Sequence, residues 1–193
     1  IEADLVLIAI GARPNTALAK QAGIELGVNS AIKVDEFLRT NIPHVYAAGD
    51  CAEAIHIVTG KKVYIPLGTT ANKQGRIAGE NAAGKDNRFE GVAGTAVTKI
   101  FDLEVSRTGL SPIEAQREGI DFFVTTIKGR SRSNAYPAGK PLIVTFITEK
   151  GSGRLLGAQM VGEEGAAHRI DTLAACLSAR MTVYDVARLD LGY

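Results

Sequence analysis

The segment Thr40–Asp50 constrains the fold more than any other, because a turn, a short apolar strand and an acidic residue follow one another there. Asn41–His44 predict the turn, and Val45–Ala48 predict a strand that ends at Gly49. Because glycine has no side chain, another group can approach the backbone closely at that point. Asp50 would then lie at the carboxyl end of a strand, where open α/β sheets bind ligands. A carboxylate there can accept hydrogen bonds from sugar or sugar-alcohol hydroxyls.

Composition sets wider bounds. The chain has 193 residues, 46% of them hydrophobic, which is enough for one large or two small domains. A formal charge of +1, with no run of one sign, argues against a nucleic-acid partner, and no apolar run approaches the roughly 18 residues of a membrane span. Two cysteines cannot form a disulfide framework, which favours a reducing cytoplasm. The chain has no initiating Met and no signal peptide, so we expect a piece of a longer protein.

The first part of the chain is predicted to alternate strands and helices. The predicted elements are a buried parallel strand at Leu5–Ile10, a short helix at Thr16–Ala22, an extended segment at Ala31–Val34, a hairpin at Ile55–Ile65 and a helix at Thr70–Ala83. The polar, glycine-bearing stretch Gly84–Gly94 follows them and predicts a boundary. The expected domains are therefore residues 1–88 and 89–193.

The second part has a different pattern. The predicted strands are Ala96–Phe101, Phe122–Ile127, Leu142–Thr148 and Leu155–Val161. Capping boxes at Ser111 and Thr182 each start a helix, and Ala166–Met181 forms a longer helix with one apolar face. Strands followed by helices predict an α+β domain. The glycines of Gly151–Gly157 are spaced wrongly for a dinucleotide fingerprint and join two strands, so they predict a hairpin turn.

The turn and strand at residues 40–50 resemble the second FAD fingerprint of the two-dinucleotide-domain flavoprotein reductases. The resemblance assigns five residues to the FAD site: Thr40, Tyr46, Ala47, Gly49 and Asp50. In that family the aspartate holds the ribityl chain of FAD. Gly11–Asn15 also resembles the G-x-x-P-N turn of these flavoproteins, where the chain returns from the NAD(P)H domain into the FAD domain.

The helix near residue 70 would direct free backbone N–H groups and its positive dipole end beyond Gly68. Such a helix end stabilises the negative charge of a reduced flavin, and the family uses this helix in that way. The resemblance adds four residues to the FAD site: Leu67, Gly68, Thr69 and Asn72. The alternative is a structural helix, because small residues, Ala71 to Ala82 among them, form a stripe that favours close packing.

Three further segments narrow the resemblance to the coenzyme A disulfide reductase, NADH oxidase and NADH peroxidase branch. They are Ser133–Pro137, Arg169–Asp171 and Leu189–Tyr193. In the coenzyme A disulfide reductases, two tyrosines of a C-terminal dimerisation domain reach across the dimer. The resemblance assigns Tyr136 to the substrate and Tyr193 to the flavin, both as supporting catalytic residues. Ala135 and Gly192 depart from the family pattern, and the alternative for either tyrosine is a packed or exposed ring.

The remaining reactive side chains predict no further site. The family's redox cysteine belongs to the N-terminal FAD half, outside this chain. Cys51 and Cys176 are therefore expected to be inert, although nearby arginines on the same helix could lower the pKa of Cys176. The three histidines have no metal-ligand spacing, so no metal is expected.

The resemblance covers essentially all 193 residues. It implies the C-terminal half of a pyridine nucleotide–disulfide oxidoreductase, with an α/β FAD-binding segment followed by an α+β dimerisation domain truncated at its C-terminus. In the homodimer, NAD(P)H would reduce FAD. The reduced FAD would then reduce a cysteine redox centre that lies outside this chain. That centre would reduce a disulfide or persulfide, with coenzyme A disulfide as the leading substrate. The alternative within the branch is an NADH oxidase or peroxidase that reduces oxygen or peroxide.

A reading from another class also stays open. The chain alone is expected to be inactive, and it could be a non-catalytic dimerisation or interaction module, or the remainder of a proteolysed protein. The mass of the intact polypeptide is the discriminating measurement: a mass near 20.4 kDa means a genuine fragment, and a mass near twice that means missing residues.

Overall fold

The computed structural model describes residues 2–192, and the chain forms two compact units. The first unit comprises Ile1–Ala54 and Lys62–Phe89, and the second comprises Ile55–Lys61 and Glu90–Tyr193. No helix within residues 2–192 is long and apolar enough to cross a membrane.

The first unit is built mainly from loops and helices. Its helices are α1 (Ala17–Gln21), a short 3-10 helix (Val28–Ser30) and α2 (Gly68–Ala82). The short strands β1 (Ala54–Ile55) and β2 (Lys62–Val63) form the two-stranded sheet of the predicted hairpin, whose segment Ile55–Lys61 belongs to the second unit. In its turn the His56 N–H donates to the Lys61 carbonyl oxygen at 2.9 Å, which confirms the predicted hairpin.

Helix α2 confirms the predicted helix but starts two residues early, at Gly68 rather than Thr70. The residue before it, Leu67, is extended and offers no side-chain cap, so the sequence carries no signal for this start. Beyond the helix, Gly84 has φ +93°, a left-handed conformation that ends helices and suits glycine. The buried face of α2 is largely polar: Thr70, Gln74, Ala78 and Asn81.

Two expected strands of the first unit are wrong. Leu5–Ile10 has no strand structure, and its large side chains are exposed. Val45–Ala48 contains only an isolated antiparallel bridge between Tyr46 and Arg39. A strand needs a neighbour that accepts and donates backbone hydrogen bonds along its length, and within residues 2–192 neither segment has one.

The second unit is an antiparallel five-stranded sheet with helices. Its strands are β3 (Ala96–Ile100), β4 (Leu103–Gly109), β5 (Phe122–Arg130), β6 (Pro141–Glu149) and β7 (Leu155–Gly162), in the order β3-β4-β7-β6-β5. The four predicted strands of this unit are confirmed, and β4 was not foreseen. The glycine-containing segment between β6 and β7 is a turn, as predicted.

The helices of the second unit start where their sequence signals lie. They are α3 (Pro112–Arg117), α4 (Ala166–Ser178) and α5 (Val183–Val186). Ser111 and Thr182 each form a complete capping box. The side chain of the cap residue accepts the backbone N–H of the acidic residue three positions later, and the side chain of that acidic residue accepts the backbone N–H of the cap residue. Because a capping box is local, its sequence pattern is sufficient to predict it.

Helix α4 supplies much of the core of the second unit. Its apolar face packs on β6 and β7 through a cluster that includes Ile170, Leu173, Leu142, Ala158 and Met160. The predicted apolar face of this helix is therefore confirmed at the residues that are buried in this cluster, Ile170 and Leu173. The structure ends the helix at Ser178, before the expected Met181.

Candidate functional site

The first part of the candidate site is the turn at Gly49 and Asp50. Gly49 has φ +86°, and a Cβ placed on it would lie 3.7 Å from the Ala71 Cβ in the first turn of α2. The Ala52 N–H donates to the Gly49 carbonyl oxygen at 2.9 Å and closes the turn. The Asp50 side chain is exposed and, within residues 2–192, has no hydrogen-bond or ion-pair partner. The turn thus presents an unpaired carboxylate beside the start of α2.

The second part is the start of α2 itself. The Ala71 N–H donates to the Leu67 carbonyl oxygen at 2.9 Å, so the regular helical bonds begin there. The N–H groups before it have no partner within the helix, and the first turn has neither a side-chain cap nor an acidic residue. Asn72 is exposed one turn after Gly68 and lies on the same face. The free N–H groups and the helix dipole favour an anionic or electron-rich group at this position.

Thr40 and Tyr46 support the turn. The Thr40 hydroxyl donates to the Val45 carbonyl oxygen at 3.0 Å and accepts from the Ile42 N–H at 3.2 Å. The Tyr46 hydroxyl donates to the Asn81 carbonyl oxygen at 3.3 Å. The Ala47 N–H donates to the Leu38 carbonyl oxygen at 3.1 Å. These groups bind other parts of the same unit, whereas the Asp50 carboxylate stays free for a ligand.

The loop between β5 and β6 carries Tyr136, whose side chain is 56% exposed. The base of this loop is held by Ser131, a buried residue. Its N–H donates to the Lys140 carbonyl oxygen at 2.8 Å, and its hydroxyl oxygen accepts the Lys140 N–H at 2.8 Å. The Ser131 hydroxyl also donates to Glu164 at 3.2 Å. Sequence analysis had missed Ser131, because a serine that anchors a loop has no distinctive pattern.

Two arginines reinforce the same loop. Arg132 donates from Nε to the Glu164 carboxylate at 3.0 Å, and this hydrogen bond holds the pKa of Glu164 below its usual value. Arg169 donates to the Ser131 carbonyl oxygen at 2.6 Å. Gly165 has φ +86°, and a Cβ placed on it would lie 2.1 Å from an Arg169 guanidinium nitrogen. Arg169 belongs to the triplet singled out in the sequence, and its contacts give that triplet a role in holding the loop.

The other candidate residues are distributed as follows. Asp50, Gly49 and the start of α2 lie together in the first unit, while Tyr136 belongs to the second unit. Tyr193 lies outside the described residues. Burial raises the pKa of the Cys176 thiol, which is an environment unlike that of a reactive cysteine. Within residues 2–192, no cluster of three or more His, Cys, Asp or Glu side chains could hold a metal ion.

Together, the first unit with its free carboxylate and the α+β unit that follows match the two parts of a two-dinucleotide-domain flavoprotein reductase. Residues 1–75 match the family model described as pyridine nucleotide-disulphide oxidoreductase, and residues 95–190 match the model of its dimerisation domain. The chain therefore belongs to the pyridine nucleotide-disulphide oxidoreductase family.

Individual relatives are similar to this chain along nearly its whole length. The NAD(P)H sulfur oxidoreductase (CoA-dependent) of Pyrococcus furiosus is 45% identical over 192 residues, covering 100% of this chain and 43% of that protein. The NADH oxidase of Methanocaldococcus jannaschii is 38% identical over 192 residues, covering 100% of this chain and 42% of that protein. The solved NAD-dependent persulfide reductase from A. fulgidus superposes with a TM-score of 0.95 at 43% identity, covering 99% of this chain and 35% of that one. The chain thus spans less than half the length of these relatives.

Proposed function

We propose that the full-length protein is an FAD-dependent NAD(P)H oxidoreductase that reduces a disulfide or persulfide, with coenzyme A disulfide as the leading substrate. In this proposal residues 1–88 complete an FAD-binding domain, and residues 89–193 form a dimerisation domain. The names of the sulfur oxidoreductase and persulfide reductase relatives support the substrate class. The relative named NADH oxidase supports oxygen or peroxide as the alternative acceptor.

The unpaired Asp50 carboxylate beside the start of α2 is the observation that carries the proposal. A charged acceptor suits the hydroxyls of a ribityl chain, and unpaired helix N–H groups suit the electron-rich edge of a flavin, so the donor set fits FAD. When bound, the flavin supplies hydride acceptance from NAD(P)H and electron transfer to a cysteine centre outside this chain. Asp50 would orient the cofactor, and the helix start would stabilise the negative charge that reduction adds.

The test is the FAD affinity of the full-length protein with Asp50→Ala. Removal of a charged acceptor costs about 1.5–3 kcal/mol, so we expect FAD to bind about ten- to a hundredfold more weakly. Asp86→Ala is the matched control, because Asp86 is an exposed carboxylate of the same unit that pairs with Arg39. An Asp50→Ala protein with the FAD dissociation constant of the Asp86→Ala control would contradict the assignment.

The proposed homodimer has a surface in the second unit. Ser106 bonds to the carbonyl oxygen of Ala166 in α4, so its strand neighbour Val105 lies on the opposite sheet face. Val161 pairs with Val105 and with Ile143, which gives an apolar row across that face. Because the apolar side of α4 covers the other face, we propose that this row pairs two subunits about a two-fold axis. Sedimentation equilibrium that shows only monomer at micromolar concentration would contradict it.

Tyr136 and Tyr193 are proposed as supporting residues that act across this dimer. A phenol can donate a hydrogen bond to a thiolate leaving group or a peroxide oxygen. Proton donation typically contributes about 10²–10⁴-fold, so Tyr193→Phe should slow reoxidation by substrate and leave flavin reduction by NAD(P)H nearly unchanged. Stopped-flow measurement of the two half-reactions tests this, and equal slowing of both would remove the proposed role.

We also propose the cellular compartment in which the protein works. Cys51 and Cys176 are both free thiols. Because unpaired cysteines favour a reducing environment, we propose that the protein works in the cytoplasm. Cell fractionation that found the protein only outside the cytoplasm would overturn this.

A further inference from the structure

Gln74 is a fully buried polar residue in the middle of α2, with an exposed fraction of 0%. Its Oε1 atom accepts the Gly49 N–H at 2.9 Å, and its Nε2 atom donates to the Glu53 carbonyl oxygen at 3.2 Å. These two backbone groups lie on either side of Asp50 in the sequence. One side chain therefore holds both ends of the turn that presents the carboxylate.

The far end of the turn is fixed independently. The Glu53 side chain is itself buried, forms an ion pair with Lys62 at 3.1 Å and accepts a hydrogen bond from the Val28 N–H at 3.4 Å. Gly27 leaves room for this carboxylate, because a Cβ there would lie 2.0 Å from the Glu53 Oε2 atom. Gln74 thus binds the turn to a backbone segment that cannot shift freely.

Gln74 also belongs to the helix whose start forms the other half of the candidate site. It lies one turn after Thr70, so its position is rigidly related to the N–H groups of the first turn of α2. The two hydrogen bonds of the Gln74 amide therefore fix the position of the turn relative to the start of α2. An apolar side chain of the same size would leave the Gly49 N–H and the Glu53 carbonyl without these partners.

We infer that Gln74 is a positioning residue of the FAD site, which acts by setting the place of the Asp50 carboxylate relative to the start of α2. The inference rests on the proposed function. Gln74 itself is buried and is not expected to touch the cofactor. Its effect on FAD must therefore pass through the Gly49–Asp50 turn, and this separates it from a residue that merely stabilises the fold.

The experiment measures the FAD dissociation constant of the full-length protein by fluorescence titration of the apoprotein. Gln74→Met removes both hydrogen bonds at similar size, and we expect it to weaken FAD binding by about tenfold. Gln74→Glu keeps an acceptor for the Gly49 N–H and should have a smaller effect. Arg76→Met, an exposed position on the same helix, is the control and should leave the affinity unchanged.

A double-mutant cycle with Asp50→Ala distinguishes positioning from stability. If Gln74 acts through Asp50, Gln74→Met should change FAD affinity less than about threefold once Asp50 is already alanine. The same factor in both backgrounds would instead show a general structural role and overturn the inference. If Gln74→Met does not fold, the cycle is run with Gln74→Glu, and failure of both variants to fold also overturns it.

The cycle separates this inference from the function on which it rests. Asp50→Ala without effect on FAD would remove the proposed cofactor site. Weakening by Asp50→Ala, together with unchanged affinity in Gln74→Met, would leave the proposed site standing and remove only the role of Gln74.

Discussion

The two units are specified by different interactions. In the first, buried amides on α2 hold loops through bonds to distant backbone groups, as Gln74 and Asn81 do. In the second, a five-stranded sheet and α4 enclose apolar clusters such as that of Ile170. Hydrogen bonds are directional, whereas apolar burial is not. The first unit is therefore suited to placing a turn accurately, whereas the second unit is suited to contributing stability through its apolar core.

The largest expected effect is in the apolar core of the second unit. Ile170 is 0% exposed and packs in the cluster under the sheet. Ile170→Ala should lower the free energy of unfolding by about 2–5 kcal/mol, because it removes buried carbon atoms and leaves a cavity. Ile113→Ala, at a position 62% exposed, is the control and should cost less than about 0.5 kcal/mol. Urea titration followed by circular dichroism compares them, and equal losses would contradict the role of apolar burial in the second unit.

The next effect tests whether the first unit depends on polar contacts. Asn81 donates to the Phe37 and Asn87 carbonyl oxygens at 2.9 and 2.8 Å, and accepts the Asn87 N–H at 2.8 Å. Asn81→Leu keeps the number and branching of the side-chain heavy atoms but leaves these groups unpaired, so we expect a loss of about 1–3 kcal/mol. Hydrogen exchange at the Asn87 amide should become faster. If apolar burial governed this unit too, the substitution would be neutral or stabilising, as Lys73→Leu on the exposed face should be.

The smallest expected effect is a pH dependence within the second unit. Burial lowers the pKa of His56 from 6.5, although Glu114 and Glu118 oppose this shift and Arg107 adds to it. The unfolded chain therefore binds a proton more readily than the folded one. The contribution of neutral His56 to stability is complete above about pH 6.5 and is lost as the pH falls towards the lowered pKa.

His56→Asn tests this dependence, because asparagine can keep an acceptor for the Val58 N–H, which donates to His56 Nδ1 at 3.3 Å. Between about pH 7.5 and about pH 5.5, the wild-type protein should lose more free energy of unfolding than the variant. Parallel urea titrations at the two pH values measure the difference. Identical pH dependence in both proteins would mean that burial does not perturb His56.

How far the fold could be predicted follows from how local its signals are. The capping boxes at Ser111 and Thr182 and the apolar face of α4 involve neighbours within a few residues, and the sequence predicts them correctly. β4 was missed because its buried side chains include Ser106 and Thr108. Their hydroxyls are satisfied by distant partners, the Ala166 carbonyl oxygen at 2.8 Å and Thr95 at 2.7 Å, which no local pattern shows.

The same distinction applies to the candidate site. The fingerprint at residues 40–50 and the helix at residue 70 could be recognised from the sequence, and the structure places the Gly49 turn beside the start of α2. Gln74 could not be recognised, because its partners lie 25 and 21 residues away and are backbone atoms. The strands expected at Leu5–Ile10 and Val45–Ala48 failed for a related reason, since an apolar pattern does not reveal whether a pairing strand exists.

The exposed segment Leu5–Ile10 has a practical consequence. It combines uninterrupted apolar side chains with strong β-propensity and carries neither charge nor proline, which are the features of sequences that stack into cross-β fibres. Asp4 precedes it, and Arg13 and Pro14 follow shortly after it, in the manner of gatekeepers that slow such stacking. A preparation of this polypeptide by itself should therefore have its solubility limited by these six residues rather than by its near-neutral net charge.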